Sequence, residues 1–206
     1  MVERLLTLVR HGRTHANAAN LLQGHIDNEL DEVGLSQATL LGDALQRIAP
    51  VTRLISSPLK RAQQTASAIR TTVGHVNIET HHSWIELDYG DFDAQPVSTV
   101  PPEIWATWRS DPHFRPPNGE TLAELDHRVR AALASLVDDD FDPETSEHIV
   151  VVSHVSPIKA AVAWALGVDM GVSWRTALDR ASMSTIRLDA TRPVLKSFNV
   201  TVHDID

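Results

Sequence analysis

The run His148-Ile-Val-Val-Val-Ser153, followed at once by His154, decides the fold class. Its β-branched centre offers neither face to water, and a strand buried on both faces belongs inside a parallel sheet covered by helices. A similar run, Arg4-Leu-Leu-Thr-Leu-Val9, stops abruptly at Arg10-His11-Gly12. Between the two lie helical patterns. Leu35, Ala38, Leu41, Leu45 and Ile48 recur at steps of three or four, as do Leu59, Ala62, Ala66, Ile69 and Val73. Arg53-Leu-Ile-Ser56 reads as another strand, and Ser184 to Leu188 and Val194 to Val202 as two more. Ser57 before Pro58 and Ser156 before Pro157 each place a capping hydroxyl ahead of a proline suited to the first helical position. Thr121 with Glu124 forms a possible capping box for the pattern Leu122, Leu125, Val129, Ala132, Leu136. This alternation predicts an α/β fold, a three-layer α/β/α sandwich with a mostly parallel central sheet and helices on both faces. Ligands of such folds sit at the carboxyl ends of strands, where Arg10, His11 and His154 fall.

The chain has 206 residues, 42% of them hydrophobic and 22% charged, which suits a single domain spanning 1–206. Its proline-rich stretch 90–119 surrounds one short helical candidate, Glu103 to Arg109, and reads as a lid or specificity excursion. With 18 basic against 27 acidic side chains the net charge is -9, which argues against nucleic acid as a partner. The absence of cysteine excludes disulfides, thiolate catalysis and zinc sites built on Cys. No stretch approaches the roughly 18 to 20 apolar residues that cross a bilayer, so no membrane association is expected and the chain reads as cytoplasmic. The sequence does not fix an oligomeric state; a homodimer, common among soluble proteins, is one candidate. Asp138-Asp139-Asp140 reads as a solvated helix end or loop.

Four places carry candidate chemistry. In Arg10-His11-Gly12, a guanidinium fork and a nucleophile or base lie close to the polar Thr14 and Asn17, a grouping that suits an anion. The bland alternative is a surface turn with His11 as a cap. Arg61 on the first turn after a strand joins a guanidinium to a helix N-terminus, which favours a phosphate-sized anion, although an exposed helical arginine is commonly just solvated. His154 stands at another strand-to-helix junction. Glu86 lies between apolar neighbours in Trp84-Ile-Glu-Leu-Asp-Tyr-Gly90, where a carboxyl can act as a general acid, with Asp88 and Asp91 as rivals. His11 and His15 have a zinc-compatible spacing, but no Glu stands next to the first His and a glycine follows it, so no metal is implied.

Further blocks occur in order: Gln23-Gly24 with Asp27, Leu30 and Gly34; Ser56-Ser57-Pro58-Leu59 with Arg61, Ala62 and Gln64-Thr65-Ala66; Glu86 with Gly90; Gly119-Glu120-Thr121; Ser153-His154. Together with Arg10-His11-Gly12 they resemble the histidine phosphatase superfamily, also called phosphoglycerate-mutase-like, over about residues 4 to 167. The resemblance implies phosphoryl transfer in two steps without cofactor or metal. His11 would take the phosphoryl group, Arg10, Arg61 and His154 would neutralise its oxygens, and Glu86 would serve as general acid and then base. Asn17, Gln23, Gly24 and the Val155 amide match positions that touch phosphate or substrate.

The short stretch between Glu86 and Gly119, and Arg13-Thr14 where family mutases usually have Glu-Ser, point to a phosphatase of the compact branch acting on a small phosphorylated metabolite. The alternatives are a phosphoglycerate-mutase-type transferase and a catalytically weak phospho-ligand-binding module. Two departures stand out: Val155 where the family commonly has glycine, and Gly90-Asp-Phe-Asp-Ala94 where a second glycine is frequent. Arg109, His113 and Arg115 in the excursion are candidates for meeting a second anionic group.

Overall fold

The computed structural model describes residues 3–74, 76–138, 142, 144–189 and 192–202. Six strands form one sheet: β1 (Arg4–Arg10), β2 (Arg53–Ser56), β3 (Ile78–Thr80), β4 (Glu147–Ser153), β5 (Met183–Arg187) and β6 (Val194–Val200). Their order is β3-β2-β4-β1-β5-β6. The pairs β3/β2, β2/β4 and β4/β1 are parallel, whereas β5 runs antiparallel to both β1 and β6. The predicted mostly parallel sheet is therefore present, with an antiparallel strand beside β1.

Among the described residues six α-helices accompany it: α1 (His15–Ala18), α2 (Glu32–Ile48), α3 (Lys60–Val73), α4 (Pro102–Ser110), α5 (Leu122–Asp138) and α6 (Val155–Leu166). Side chains alternate along each strand, and this sorts the core into two layers. Ile149 and Val151 of β4, with Leu6 and Leu8 of β1, pack against Leu125, Val129 and Leu133 of α5 and Ile158 of α6. Val150 and Val152, with Val9 and Leu54, pack against Leu41 and Leu45 of α2 and Ala62, Ala66 and Ile69 of α3. Each such buried Leu, Ile or Val contributes about 1.5–3 kcal/mol of transfer free energy. Helices thus cover both faces, as the doubly apolar reading of β4 requires.

The Thr121–Glu124 capping box forms as expected: the Glu124 N–H donates to Thr121 Oγ1 (3.0 Å) and the Thr121 N–H to Glu124 Oε2 (3.0 Å). Two other expected caps do not form. α3 begins at Lys60 with Leu59 in the cap position, and its Lys60 N–H donates to Asp27 Oδ1 (2.6 Å) from a distant loop. α6 begins at Val155 with His154 in the cap position, so Ser156 and Pro157 lie inside its first turn. In both helices a carboxylate from elsewhere in the chain reaches the orphan N–H groups, and the local serine is left for other work. β3 and the four-residue α1 carry too little periodicity to be read from sequence, and β6 ends at Val200 rather than 202. Asp139 and Asp140 lie outside the described residues.

Candidate active site

Strands β1 and β4 run in register from Arg4 opposite Glu147 to Arg10 opposite Ser153, so their ends deliver Arg10, His11 and His154 to one edge of the sheet. The rings of His11 and His154 stand 5.1 Å apart. Gly12 follows because the chain passes the first turn of α2 at close range. A Cβ on Gly12 would lie 2.5 Å from the Gly34 carbonyl oxygen, and one on Gly34 would lie 2.0 Å from that of Arg13.

His11 Nδ1 is 2.7 Å from the Gly12 carbonyl. A carbonyl only accepts, so Nδ1 carries the proton and Nε2 keeps the lone pair. Burial, then the charges of Arg61, Arg10 and Arg180, push the His11 pKa well below 6.5, which keeps the ring neutral near pH 7. His154 has the opposite tautomer. Its Nδ1 accepts from Arg61 Nε (3.3 Å), so Nε2 donates to Ser57 Oγ (2.7 Å). Burial, followed by Arg61, His11 and Arg10, also pushes its pKa well below 6.5. His154 is thus not the cation expected from sequence: burial, and after it the neighbouring guanidiniums, disfavour a positive charge on the ring, which supports Arg61 instead.

Arg61 is fully buried and clamps the 23–26 loop, donating from Nη1 to the Ile26 carbonyl (2.7 Å) and from Nη2 to that of Gly24 (2.8 Å). Arg10 donates from Nη1 to the Leu178 carbonyl (2.5 Å), and its Nε is buried without a partner. Burial lowers its pKa to about 10, so it remains a cation at pH 7. Gln23 spends Oε1 on Thr14 Oγ1 (2.9 Å) and Asn28 Nδ2 (3.2 Å), which leaves Nε2 buried and unpartnered. Asn17 closes a capping box with Thr14 through Oδ1, so its Nδ2 is the group left for an anion.

Two expected ligands have other work. The Gly24 N–H donates to Asp93 Oδ1 (2.5 Å), and a Cβ there would lie 2.6 Å from the Leu87 carbonyl oxygen; Gly24 is a close-packing glycine rather than a substrate contact. The Val155 N–H donates to Glu86 Oε2 (3.0 Å), so it is taken up by the carboxylate and does not face a phosphate.

Glu86 is 4% exposed. Its apolar sequence neighbours suggested an apolar pocket, but three backbone donors meet the carboxylate: Leu87 (2.8 Å) and Ser156 (3.1 Å) on Oε1, and Val155 on Oε2. Its carbonyl accepts from Arg128 Nη2 (3.1 Å), and Arg128 is in turn held by Glu120 through two contacts of 2.7 and 2.9 Å. Beside this carboxylate lies a cavity of about 140 Å³ whose lining includes Tyr89, Val155, Ser156, Lys159, Trp105 and Trp174. Burial pushes the Tyr89 phenol pKa up, and burial lowers that of Lys159, whose Nζ donates to the carbonyls of Ser173 and Thr176 (both 2.7 Å).

Of the cations expected to meet a second anion, Arg115 pairs with Glu124 and the Gly119 carbonyl, and Arg109 lies 5.9 Å above the Trp174 ring. Sequence reasoning missed Arg128 and Arg180. Arg128 sits on the α5 pattern four residues past the capping Glu124, where an exposed charge is the default reading. Arg180 precedes β5, and its position depends on the direction in which that strand runs.

A family model of the histidine phosphatase superfamily (branch 1) matches residues 6–201. The chain belongs to this superfamily. It is 33% identical over 204 residues to phosphoserine phosphatase 1 of Hydrogenobacter thermophilus, covering 96% of this chain and 93% of that one. It is 34% identical over 184 residues to a probable phosphoglycerate mutase of Yersinia pestis, covering 87% and 82%. Among solved structures, a mycobacterial glucosyl-3-phosphoglycerate phosphatase in complex with VO3 superposes with a TM-score of 0.85 at 26% identity, covering 96% of this chain and 100% of that one. Superfamily membership with such relatives supports a phosphatase activity. No helix among the described residues is long and apolar enough to cross a membrane.

Proposed function

We propose that this histidine phosphatase hydrolyses small phosphate monoesters, without a metal, through a phosphohistidine on His11. The observation that carries the reading is the state of His11: neutral, with its proton fixed on Nδ1 by Gly12 and a free lone pair on Nε2 amid guanidinium groups. In the first step the Nε2 lone pair attacks phosphorus and the bond to the ester oxygen breaks. That oxygen leaves with a proton from Glu86. Oε1 already accepts two N–H groups and Oε2 only one, so Oε2 has the lone pair free to carry the proton. In the second step water attacks phosphorus, its proton returns to Glu86, and the P–N bond breaks to restore the Nε2 lone pair. Arg10 and Arg61 supply fixed positive charge for the phosphoryl oxygens, and Gln23 Nε2 and Asn17 Nδ2 supply neutral donors.

The Yersinia relative's name favours a second reading, transfer between positions of phosphoglycerate. Steady-state assays of p-nitrophenyl phosphate and a panel of monoesters in EDTA, with His11→Ala as control, test the proposal. Turnover that survives the chelator and is lost in His11→Ala, together with an acid-labile phosphoryl group on His11 by mass spectrometry, is the expected result. Loss of turnover in EDTA would overturn the metal-free mechanism, and interconversion of 2- and 3-phosphoglycerate faster than hydrolysis would favour the mutase.

A further inference from the structure

Three guanidinium groups, not two, act on the His11 pocket. Arg180 lies in the turn before β5, where Ala181 adopts a left-handed φ of 54° and donates its N–H to the His11 carbonyl (3.2 Å). Its Nη2 donates to the carbonyl of Asn17 (3.0 Å), which fixes the guanidinium over the α1 turn. Its Nε is buried and has no hydrogen-bond partner. Among the described residues no carboxylate stands within ion-pair distance of it: adjacent Asp179 gives Oδ2 to Asn199 Nδ2 (2.8 Å). Arg180 is close enough to disfavour positive charge on both Arg10 and His11.

A buried donor without a partner beside a binding pocket is costly unless a ligand meets it. Arg10, Arg61 and Arg180 all act on His11, with Glu86 and Asp179 as acidic groups that act on Arg10. We infer that Arg180 is a specificity-determining residue that binds a second anionic group on the substrate, a carboxylate on the carbon skeleton bearing the phosphate. The preferred substrates are then phosphate esters of small hydroxy or amino acids. The Nε–H and an adjacent Nη–H of a guanidinium form the flat two-donor edge that a carboxylate accepts. This inference rests on the phosphatase reading and refines it.

The test compares wild type, Arg180→Gln and Arg180→Lys on O-phosphoserine and 3-phosphoglycerate against p-nitrophenyl phosphate and glycerol phosphate, with thermal melts to verify folding. In Arg180→Gln the ratio of kcat/KM for the carboxylate-bearing esters to that for the other two falls at least about tenfold, through KM; this corresponds to about 1.4 kcal/mol. Arg180→Lys restores only part of the ratio, since an ammonium lacks the fork. An unchanged ratio, with or without a general loss of activity, overturns the inference. If wild type turns over none of the four esters, the phosphatase reading fails by itself, and calorimetric titration decides the present one. Tighter binding of O-phosphoserine than of inorganic phosphate, abolished in Arg180→Gln, sustains it, and equal affinities overturn it.

Discussion

Replacing Glu86 by glutamine separates what its carboxylate holds from what it transfers. The amide has one oxygen, and its better position is that of Oε1, where it keeps the N–H groups of Leu87 and Ser156. The amide nitrogen then stands 3.0 Å from the Val155 nitrogen, donor against donor. One hydrogen bond to a charged group is lost, about 1.5–3 kcal/mol, and the Val155 amide at the start of α6 is left unpaired at an overlapping cost of about 1–3 kcal/mol. A net loss of about 3 kcal/mol lowers Tm by about 6–12 °C for a chain of this length. Loss of the proton donor lowers kcat by about 10²- to 10⁴-fold. Melting followed by circular dichroism at pH 7.5, with steady-state kinetics on the same preparation, reads both effects. A variant melting within about 2 °C of wild type would refute the capping argument, and one with wild-type kcat would refute the acid role.

Acidification destabilises the fold. His11, His154 and His148 all have folded-state pKa values below 6.5, chiefly through burial, so the unfolded chain binds protons that the folded one refuses. Stability is full above pH 6.5 and falls by up to about 1.4 kcal/mol per pH unit for each of these histidines below it. Urea midpoints between pH 5 and 8 check this, and equal midpoints at pH 5.5 and 7.5 would contradict it. Arg128→Met removes one of the two partners of the Glu86 carbonyl, leaving His25 Nε2 (3.0 Å), and leaves Glu120 unpaired; kcat falls about tenfold while KM changes little, and the pH profile of kcat shifts, which loss of folded protein alone does not produce. Ala94→Gly relieves a left-handed φ of 61° at the place of the frequent family glycine and raises stability by about 0.5–1 kcal/mol in chemical denaturation; a lower stability would count against strain at that turn.

Sequence by itself determined whatever depends on a segment's own pattern. The four β-branched residues of β4 could be satisfied only by cover on both faces, and the helical spacings of α2, α3 and α5 named most of the residues that fill those layers, Leu35 of α2 excepted, which is exposed. Ordered motifs named the family and with it Arg10, His11, Arg61, Glu86 and His154, which tertiary structure brings together. Tertiary structure alone decided who serves whom. The first turns of α3 and α6 offer N–H groups that any nearby oxygen can take, and Asp27 and Glu86 take them although the adjacent serines are closer in sequence. The tautomers of His11 and His154 follow from which neighbour can only accept and which can only donate, a property of contacts rather than of spacing. An alternating or apolar run reads the same whichever way its strand points. Only the antiparallel pairing of β5 with β1 brings the start of one strand to the end of the other, and so sets Arg180 beside His11.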